Sequence, residues 1–562
     1  MSQLFTKTLK DAPADEVAKN AKLLVRAGFV HKEMAGVYAF LPLGLRVIDK
    51  IKQIVREEMD AAGGQELLMT ALQPKEIWQK TNRWDDAVVD NWFKTKLISG
   101  VELGVGLTHE EPIVDAARGY ITSYKDLPRS VYQIGTKFRN EKRAKSGILR
   151  GREFIMKDLY TFARDQEQHS QVYEGIAKAY HKVYQRLGIG DITYRVKADG
   201  GIFTSKYSDE FQTRSPIGED TIYHVPGTDL YYNEEVAPSK APNVEQSTTQ
   251  LSLENMHTPG VTGVEQLAKI LKVPVDHTVK TMLYMANDKV VAVALRGDYE
   301  VNEIKLRKLL GADSLVLADE ATIKKLTGAE IGYAGLIDLP AEVQIVADDS
   351  IENLVNFELG ANKTDYHLIN VNWERDLQKP QEFHDVKLAR DGDIHPESGL
   401  VYEVFSAVEV GNIFSLESKY TDALDQYYLD ENGQQQSIVM GSYGIGISRL
   451  MGVIAEYFSD DKGLVWPRQI APYDVHIVSI GEKGASMADK LYEDLRSQNL
   501  TALYDDRDER PGVKFADSEL IGLPYRITVS DRGVAAGAYE LTDRSSGETV
   551  SLTVDELIAK LR

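Results

Sequence analysis

A basic hairpin in the first third of the chain carries residue types that bind phosphate. In YQIGTKFRNEKRAKSGILRGREFIMKDLYTF, residues 132–162, two strand patterns flank a long loop that contains glycine. From residue 137 to residue 158, eight Lys or Arg stand against three acidic residues, in a chain of net charge −21. An arginine on a rigid strand, such as Arg139, offers phosphate a preset pair of donors. A solvated basic surface is the simpler interpretation of such a charge run.

A glycine-rich strand later in the chain passes into an apolar-faced helix. In MGSYGIGISRLMGVIAEYF, residues 440–458, Gly444 and Gly446 allow backbone to approach a ligand closely, and Arg449 begins the helix. These glycines do not form a dinucleotide fingerprint, because Arg449 stands where the third glycine belongs, and the chain has no P-loop motif.

The two segments together resemble class II aminoacyl-tRNA synthetases. FRNE, the basic loop and GREF resemble motif 2, and GIGISR resembles motif 3, whereas the HIGH and KMSKS signatures of class I are absent. The resemblance implies three catalytic residues, Arg139 on the α-phosphate and the amino-acid carboxylate, Arg449 on the γ-phosphate or over the adenine, and Glu409 on an ATP-bound Mg²⁺. It also implies that the ATP site contains Glu141 at the adenine amino group, Phe154 stacked on adenine, and Gly444 and Gly446.

The amino-acid pocket is expected from a T-x-E element ahead of motif 2. GVGLTHEEP resembles the loop that holds the substrate's amino group in prolyl- and threonyl-type enzymes, which assigns Thr108 and Glu110 to proline. A secondary ammonium has two N–H donors, so a hydroxyl and a carboxylate are suitable acceptors. Glu219 is a further candidate for this pocket. Arg143, in the motif 2 loop, is expected to contact the tRNA acceptor stem.

The segment before this element predicts a long helix followed by a strand. Apolar residues at helical spacing run through residues 42–62, and glycines at 63 and 64 indicate its end. A strand pattern then ends at Pro74. Helix, strand and proline resemble motif 1, which implies a homodimer with Pro74 at its interface.

Residues 224–406 have a different pattern, in which predicted helices and strands alternate as in a compact α/β unit. Thr262 and Glu265 predict a capping box at the start of one of its helices. VKT, VAD and GAN followed by histidine resemble the editing insertion of bacterial prolyl-tRNA synthetases, which hydrolyses mischarged alanyl-tRNA. The resemblance implies that Lys280 holds the phosphate of the terminal adenosine, and that Asp348 and His367 position the ester and the 2′-hydroxyl. The G-x-x-x-P signature of that insertion is not clean here.

The last 95 residues alternate strand and helix patterns, which predicts a mixed or parallel sheet. They resemble the anticodon-binding domain of prolyl, threonyl, glycyl and histidyl enzymes. Acidic residues outnumber basic ones in this part, so we expect contacts to anticodon bases rather than net charge to provide recognition.

Composition limits the remaining possibilities. The chain has 562 residues, 43% of them hydrophobic, with no 18-residue apolar run and no targeting peptide, so we expect a cytoplasmic protein without a membrane partner. It has no cysteine, which excludes disulfides and Cys-ligated zinc. We therefore expect ATP and Mg²⁺ as the required small molecules and no zinc.

The order of these elements resembles that of bacterial-type prolyl-tRNA synthetases over nearly the whole chain. It implies an α+β multidomain fold with a class II antiparallel catalytic sheet in residues 1–223 and 407–467, an editing domain in 224–406 and an anticodon domain in 468–562. The implied reaction joins L-proline to tRNA(Pro) at the expense of ATP. Three alternatives stay open at this point, namely a threonyl or histidyl synthetase, a free-standing editing deacylase, and a non-catalytic RNA-binding regulatory paralogue.

Overall fold

An antiparallel sheet carries the basic hairpin and the glycine-rich strand side by side. In the computed structural model, which describes residues 1–204, 206–245 and 247–562, the strands Arg129–Phe138 and Glu153–Ala163 pair in register from Arg129 with Phe162 to Phe138 with Glu153. The second of them pairs with Val439–Gly446, which pairs in turn with Glu403–Glu417. The sheet therefore brings motifs 2 and 3 together although about 280 residues separate them.

Two further strands complete this part of the sheet. Tyr207–Arg214 pairs antiparallel with the Glu403–Glu417 strand, and the short strand Gln65–Glu66 lies parallel to the hairpin on the other side. The class II antiparallel sheet expected from the motifs is confirmed.

Three helices cover one face of the sheet and form the main core. They are Pro42–Ala61, Gln166–Arg186 and Ile447–Tyr457, and each buries apolar side chains at helical spacing. The first matches the predicted motif 1 helix and begins with proline at its first position, where the missing N–H costs nothing.

The described residues divide into two compact units. One consists of Met1–Arg195, Gly200–Gly218 and Ala407–Arg562, and the other of Val196–Asp199 and Glu219–Ser406. The inserted unit thus begins a few residues before the expected position 224. The reason is that Asp220–His224 is a strand paired with the Tyr231–Asn233 strand of the same unit.

The first unit, apart from its C-terminal part, has the following elements. Its helices are Lys19–Arg26, Pro42–Ala61, Lys75–Lys80, Glu110–Ala117, Gln166–Arg186, Lys419–Ala423 and Ile447–Tyr457. Its strands, including two that continue into the other unit, are Val30–Met34, Val37–Phe40, Gln65–Glu66, Leu72–Pro74, Lys94–Lys96, Glu102–Val105, Arg129–Phe138, Glu153–Ala163, Thr193–Asp199, Tyr207–Arg214, Glu403–Glu417, Tyr427–Leu429, Gln435–Ser437 and Val439–Gly446.

The inserted unit contains a four-stranded sheet and a three-stranded sheet. Its strands are Asp220–His224, Tyr231–Asn233, Glu254–His257, Val279–Ala286, Lys289–Arg296, Leu315–Leu317, Gln344–Ala347, Phe357–Gly360 and Tyr366–Val371, and its helices are Val264–Leu271, Glu303–Leu310 and Glu320–Thr327. The predicted capping box does not form. Gly263 is the N-cap residue, without a side-chain cap, and Thr262 lies against Gly332 instead.

The C-terminal part has a five-stranded mixed sheet, as the alternating pattern predicted. Val475–Ile480 lies parallel to Ala502–Asp505 and Tyr525–Ser530, and Tyr539–Asp543 and Thr549–Leu552 extend the sheet antiparallel. Its helices are Glu482–Ser497, Pro511–Ile521, Asp531–Ala536 and Val554–Leu561. No helix of the described residues is long and apolar enough to cross a membrane.

Candidate active site

One cavity of about 230 Å³ in the first unit brings together most of the residues that the motifs singled out. Nine of them line it, namely Thr108, Glu110, Arg139, Glu141, Phe154, Glu409, Gly444, Gly446 and Arg449. They come from four stretches of sequence spread over more than 300 residues. The antiparallel pairing of the sheet strands is what makes them neighbours.

Arg139 follows the last residue of the first hairpin strand and faces the cavity. Its backbone N–H continues the ladder by donating to the carbonyl of Arg152 at 2.8 Å. Its guanidinium lies 5.1 Å from the centre of the Phe154 ring and makes no hydrogen bond to any residue in the described parts of the chain. Burial, and then the nearby Arg449, lower the pKa of Arg139. A desolvated arginine with free donors is ready to bind an anion.

Arg449 is held in place by the protein itself. Its Nε donates to the carbonyl of Leu149 at 2.8 Å, and its Nη1 donates to the carbonyl of Glu409 at 2.7 Å and to the Glu409 carboxylate at 3.2 Å. Asn412 donates to Glu409 Oε1 at 3.3 Å and to Glu210 Oε1 at 3.4 Å. The carboxylate of Glu409 therefore lies at the cavity wall, and Asn412 links it to the carboxylate of Glu210.

The carboxylate oxygens of Glu409 can bind a magnesium ion only together with oxygen ligands from a substrate. Within the parts of the chain that the structure describes, no group of three or more His, Cys, Asp or Glu side chains could hold a metal ion. Mg²⁺ is commonly bound by one or two carboxylates together with substrate phosphates, at oxygen donors such as those of Glu409. The residues present fit that arrangement.

The glycines of the glycine-rich strand keep the cavity open. A Cβ at Gly444 would lie 2.1 Å from the methyl group of Met156, and one at Gly446 would lie 3.1 Å from the Cβ of Arg449. Both positions line the cavity. Any larger residue at position 444 would have to push Met156 aside.

A hydroxyl and a carboxylate meet in the same cavity, as the T-x-E element predicted. Thr108 Oγ1 donates to both oxygens of Glu110, at 2.9 and 2.7 Å, and Ser442 Oγ donates to Glu110 Oε1 at 3.0 Å. Glu110 is only 1% exposed. The oxygens of Thr108 and Glu110 keep lone pairs that can accept the N–H groups of an ammonium ion.

A buried charged network lies behind this pocket. Lys137 pairs with Asp158 at 2.7 Å and donates to Nδ1 of His109 at 2.8 Å, so His109 Nε2 donates to the carbonyl of Thr70 at 2.9 Å. Burial and Lys137 lower the pKa of His109, which keeps it neutral. Burial would raise the pKa of Asp158, but the ion pair with Lys137 and the hydrogen bond from Gln133 outweigh it and lower that pKa.

A second buried cation, Arg83, was not singled out by the sequence. It is 1% exposed, and its Nη1 donates to Glu110 at 3.3 Å and to both oxygens of Glu111 at 3.0 Å. Sequence reasoning missed it because a single arginine in TNRWDD shows neither a motif nor a period, and its partners lie about 27 residues away.

Three of the predicted residues stand apart from the others, one by its pairing and two by their position. Glu141 lines the cavity, but its carboxylate is paired with Arg150 at 2.9 Å. Arg143 is exposed in the loop between the hairpin strands and does not line the cavity. Glu219 is exposed, belongs to the inserted unit and does not line the cavity, so the structure gives it no place in the amino-acid pocket.

Family models and relatives match nearly the whole chain. Residues 93–458 match the tRNA synthetase class II core domain (G, H, P, S and T), and residues 474–562 match the anticodon binding domain. The chain is 42% identical over 565 residues to a proline–tRNA ligase of Geobacillus sp. (strain WCH70), covering 100% of this chain and 99% of the relative. It is 40% identical over 560 residues to that of Bacillus cereus (strain B4264), covering 99% and 98%.

This chain belongs to the proline–tRNA ligases. It is therefore a class II aminoacyl-tRNA synthetase, as the motifs predicted. A solved prolyl-tRNA synthetase from Cryptosporidium parvum, complexed with L-proline and AMP, has the same fold with a TM-score of 0.55 at 12% identity, over 96% of this chain and 73% of that one.

The inserted unit has its own cavity of about 390 Å³. Lys280 and His367 line it, together with mainly apolar side chains. Lys280 pairs with the exposed Glu300 at 2.6 Å, and Nδ1 of His367 is 2.7 Å from the hydroxyl of Thr258. Burial lowers the pKa of His367, so its ring is neutral.

The third residue predicted for this cavity lies elsewhere. Asp348 is fully buried and does not line the cavity. Its carboxylate accepts from the backbone N–H groups of Ser350, Val386 and Lys387 at 2.9 to 3.0 Å. A fully buried carboxylate that accepts from three backbone donors holds the chain in place, so the structure does not support the expected contact of Asp348 with substrate.

Close backbone contacts surround this cavity. Gly332 and Gly360 line it, and Gly335 is adjacent in sequence to the lining residue Ala334. A Cβ at Gly335 would lie 1.9 Å from the carbonyl oxygen of Gly360, and one at Gly332 would lie 2.5 Å from the Cβ of Thr262. Gly332 also has a φ of +97°, which side chains rarely adopt.

Proposed function

We propose that the first cavity activates L-proline with ATP and that the chain transfers the prolyl group to the 3′ end of tRNA(Pro). The observation that carries this proposal is the convergence of nine motif residues on one cavity. A protein of the same fold holds L-proline and AMP, which fits a site that takes both substrates.

The chemistry needs positioning rather than a protein nucleophile. A carboxylate oxygen of proline attacks the α-phosphorus of ATP, the bond to the β-phosphate oxygen breaks, and pyrophosphate leaves with its electron pair. Arg139 holds the proline carboxylate and the α-phosphate, because its guanidinium has free donors in the cavity. Arg449, fixed by Leu149 and Glu409, offers its remaining donors to the departing pyrophosphate.

Other residues that line the same cavity would bind ATP and the metal ion. Phe154 stacks on adenine, and Glu141 accepts from the adenine amino group once it is released from Arg150. Gly444 and Gly446 leave room for the nucleotide. Glu409 would hold Mg²⁺ together with ATP phosphates, where the ion offsets phosphate charge.

The ammonium group of proline binds between Thr108 and Glu110. Ser442 donates to Glu110 and so orients the carboxylate. A buried carboxylate with one hydroxyl acceptor beside it matches the two N–H donors of a secondary ammonium.

Transfer requires tRNA, for which two regions are available. Arg143 is exposed in the motif 2 loop and is placed there to meet the acceptor stem. The C-terminal part carries the anticodon binding domain, which reads the anticodon of tRNA(Pro). A ligase that supplies translation works in the cytoplasm.

The functional unit is a homodimer formed through the motif 1 region. A three-stranded sheet and its turns expose Leu72, Leu68 and Ile98, and Pro74 is also exposed there. Apolar side chains of this size on one small sheet indicate a covered surface. Light scattering should give twice the 62.8 kDa of one chain, and Leu72→Glu should give a single chain.

The inserted unit hydrolyses alanyl-tRNA(Pro). Lys280 holds the phosphate of the terminal adenosine in place of Glu300, and His367, held by Thr258, positions the ester. Apolar walls suit a methyl side chain. Release of alanine from alanyl-tRNA(Pro) should therefore be lost in Lys280→Ala, and hydrolysis at the wild-type rate would contradict this role.

The deciding experiment is ATP–pyrophosphate exchange with each of the twenty amino acids, without tRNA. Strong exchange with proline and weaker exchange with alanine is the expected result. Exchange with threonine or histidine instead of proline would show that this other amino acid is the substrate. Exchange with none of the twenty would indicate a non-catalytic protein.

A further inference from the structure

Two buried carboxylates share one buried arginine beside the amino-acid pocket. Glu110 and Glu111 are 1% and 0% exposed, and both lie in the first turn of the helix Glu110–Ala117. Arg83 is their common partner, since no other Lys, Arg or His of the described residues forms an ion pair with either one. Only Glu110 lines the cavity, whereas Glu111 faces away and accepts from the hydroxyl of Thr81 at 2.7 Å.

The other nearby cations are not ion-paired with these glutamates. Arg139 lines the same cavity as Glu110 and acts on it only at longer range, and in the proposed function it binds the substrate's carboxylate and the α-phosphate. Lys137 pairs with Asp158, and Lys419 donates to the backbone carbonyls of Ile202 and Phe203. These lysines influence the two glutamates only at longer range. Within the ion-paired group of Arg83, Glu110 and Glu111 the charge is two negative and one positive. One negative charge is therefore left for the single positive charge of a secondary ammonium.

The aromatic surroundings of Arg83 fit a guanidinium that cannot move. Its Cζ lies 4.9 Å from the Trp78 ring, 5.1 Å from the Phe203 ring and 5.3 Å from the Tyr420 ring. Its Nε and Nη2 have no hydrogen-bond partner among the described residues, so the aromatic faces replace water at these atoms. Phe203 itself lines the cavity, so Arg83 also packs against a ring that forms part of the pocket wall.

We propose that Arg83 is a positioning residue for proline: by neutralising one of two buried carboxylates, it leaves Glu110 as a single oriented negative charge for the secondary ammonium. This inference rests on the proposed role of Glu110 in binding proline. Without Arg83 two buried carboxylates would lack a cation, which is costly. Burial already raises the pKa of Glu111, and Arg83 opposes that rise.

A double-mutant cycle tests the charge balance directly. Arg83→Met removes the cation at similar volume, and Glu111→Gln removes one carboxylate without touching the cavity. The first change leaves two buried carboxylates without a cation, which favours protonation of one of them and removes the partner that orients Glu110. The second change leaves Arg83 to neutralise Glu110 fully. Each single variant should raise the KM for proline by about tenfold or more, and the double variant should return it to within about threefold of wild type.

The readout separates this role from a general loss of structure. KM for ATP in pyrophosphate exchange should stay within about twofold in all three variants, because the ATP residues do not contact Arg83. An unchanged KM for proline in the single variants, an equal rise of both KM values, or a double variant no better than Arg83→Met would each overturn the inference. If Arg83→Met does not fold, Glu111→Gln alone still tests it, since a normal KM for proline there contradicts the charge balance.

Glu110→Gln distinguishes failure of the premise from failure of the inference. A normal KM for proline in Glu110→Gln would remove the proposed pocket itself. A large rise in Glu110→Gln with no effect of Arg83→Met would leave the pocket in place and overturn only the role of Arg83.

Discussion

Replacing Arg139 by methionine should separate catalysis from stability. The guanidinium of Arg139 makes no hydrogen bond to the described residues, so the folded protein loses no internal bond when it is removed. Burial and the nearby Arg449 lower the pKa of Arg139, so the charged guanidinium at this place reduces the stability of the folded protein. We therefore expect the midpoint of thermal unfolding of Arg139→Met to be unchanged or higher.

The catalytic loss should be large. Removing one preorganised donor from a developing charge typically costs about 3 kcal/mol, or roughly a hundredfold in rate. Proline-dependent ATP–pyrophosphate exchange measures it directly, and the loss should appear in kcat/KM for both proline and ATP, because Arg139 is expected to hold both substrates.

Arg152, in the same hairpin, is the matched control. Its Nε donates to the carbonyl of Glu141 at 3.1 Å and its Nη1 to that of Ala35 at 2.8 Å. Arg152→Met should therefore lower the free energy of unfolding by about 1 to 2 kcal/mol and reduce exchange less than Arg139→Met does. Exchange within threefold of wild type in Arg139→Met, or an unfolding midpoint lowered as much as in Arg152→Met, would refute the reasoning.

Three further predictions concern the inserted unit. Lys280→Ala should abolish release of alanine from alanyl-tRNA(Pro) and leave proline-dependent exchange intact; a parallel loss of both would contradict separate sites. Gly335→Ala forces a Cβ to 1.9 Å from the carbonyl oxygen of Gly360, so it should destabilise this unit by about 2 kcal/mol or more. The unit should then become sensitive to protease at a lower temperature than in the wild type. Unaltered protease resistance would show that the backbone can move to relieve the clash. Burial raises the pKa of Glu358 to about 7, so its contribution to stability is present at low pH and is lost as pH rises through 7. Glu358→Gln should therefore remove roughly 3 kcal/mol of pH dependence, which lies mainly between pH 4.5 and pH 7. Denaturant unfolding measures it, and an unchanged pH dependence would contradict the assignment.

The sequence predicted the elements whose signals are local. The helix Pro42–Ala61 was predicted because its apolar residues repeat at helical spacing from Val47 to Met59 and glycines follow it. The hairpin was predicted from two strand patterns around a basic loop, and Arg139 follows the end of its first strand as that pattern suggested. Local prediction failed at Thr262, where a capping box was expected, because packing against Gly332 took the threonine away from the helix end.

What the sequence by itself determined is the set of groups that can perform the reaction, since motif residues such as Arg139 and Arg449 carry their chemistry in their side chains. Their meeting in one cavity depended on strand pairing between distant segments, which no local pattern specifies. Tertiary structure alone decided the state of each charged group. Asp348 became a buried anchor for backbone N–H groups, and Arg83 became the partner of two glutamates. The physical reason is that the energy of a charge is set by burial and by its neighbours, and both arise only when the chain has folded.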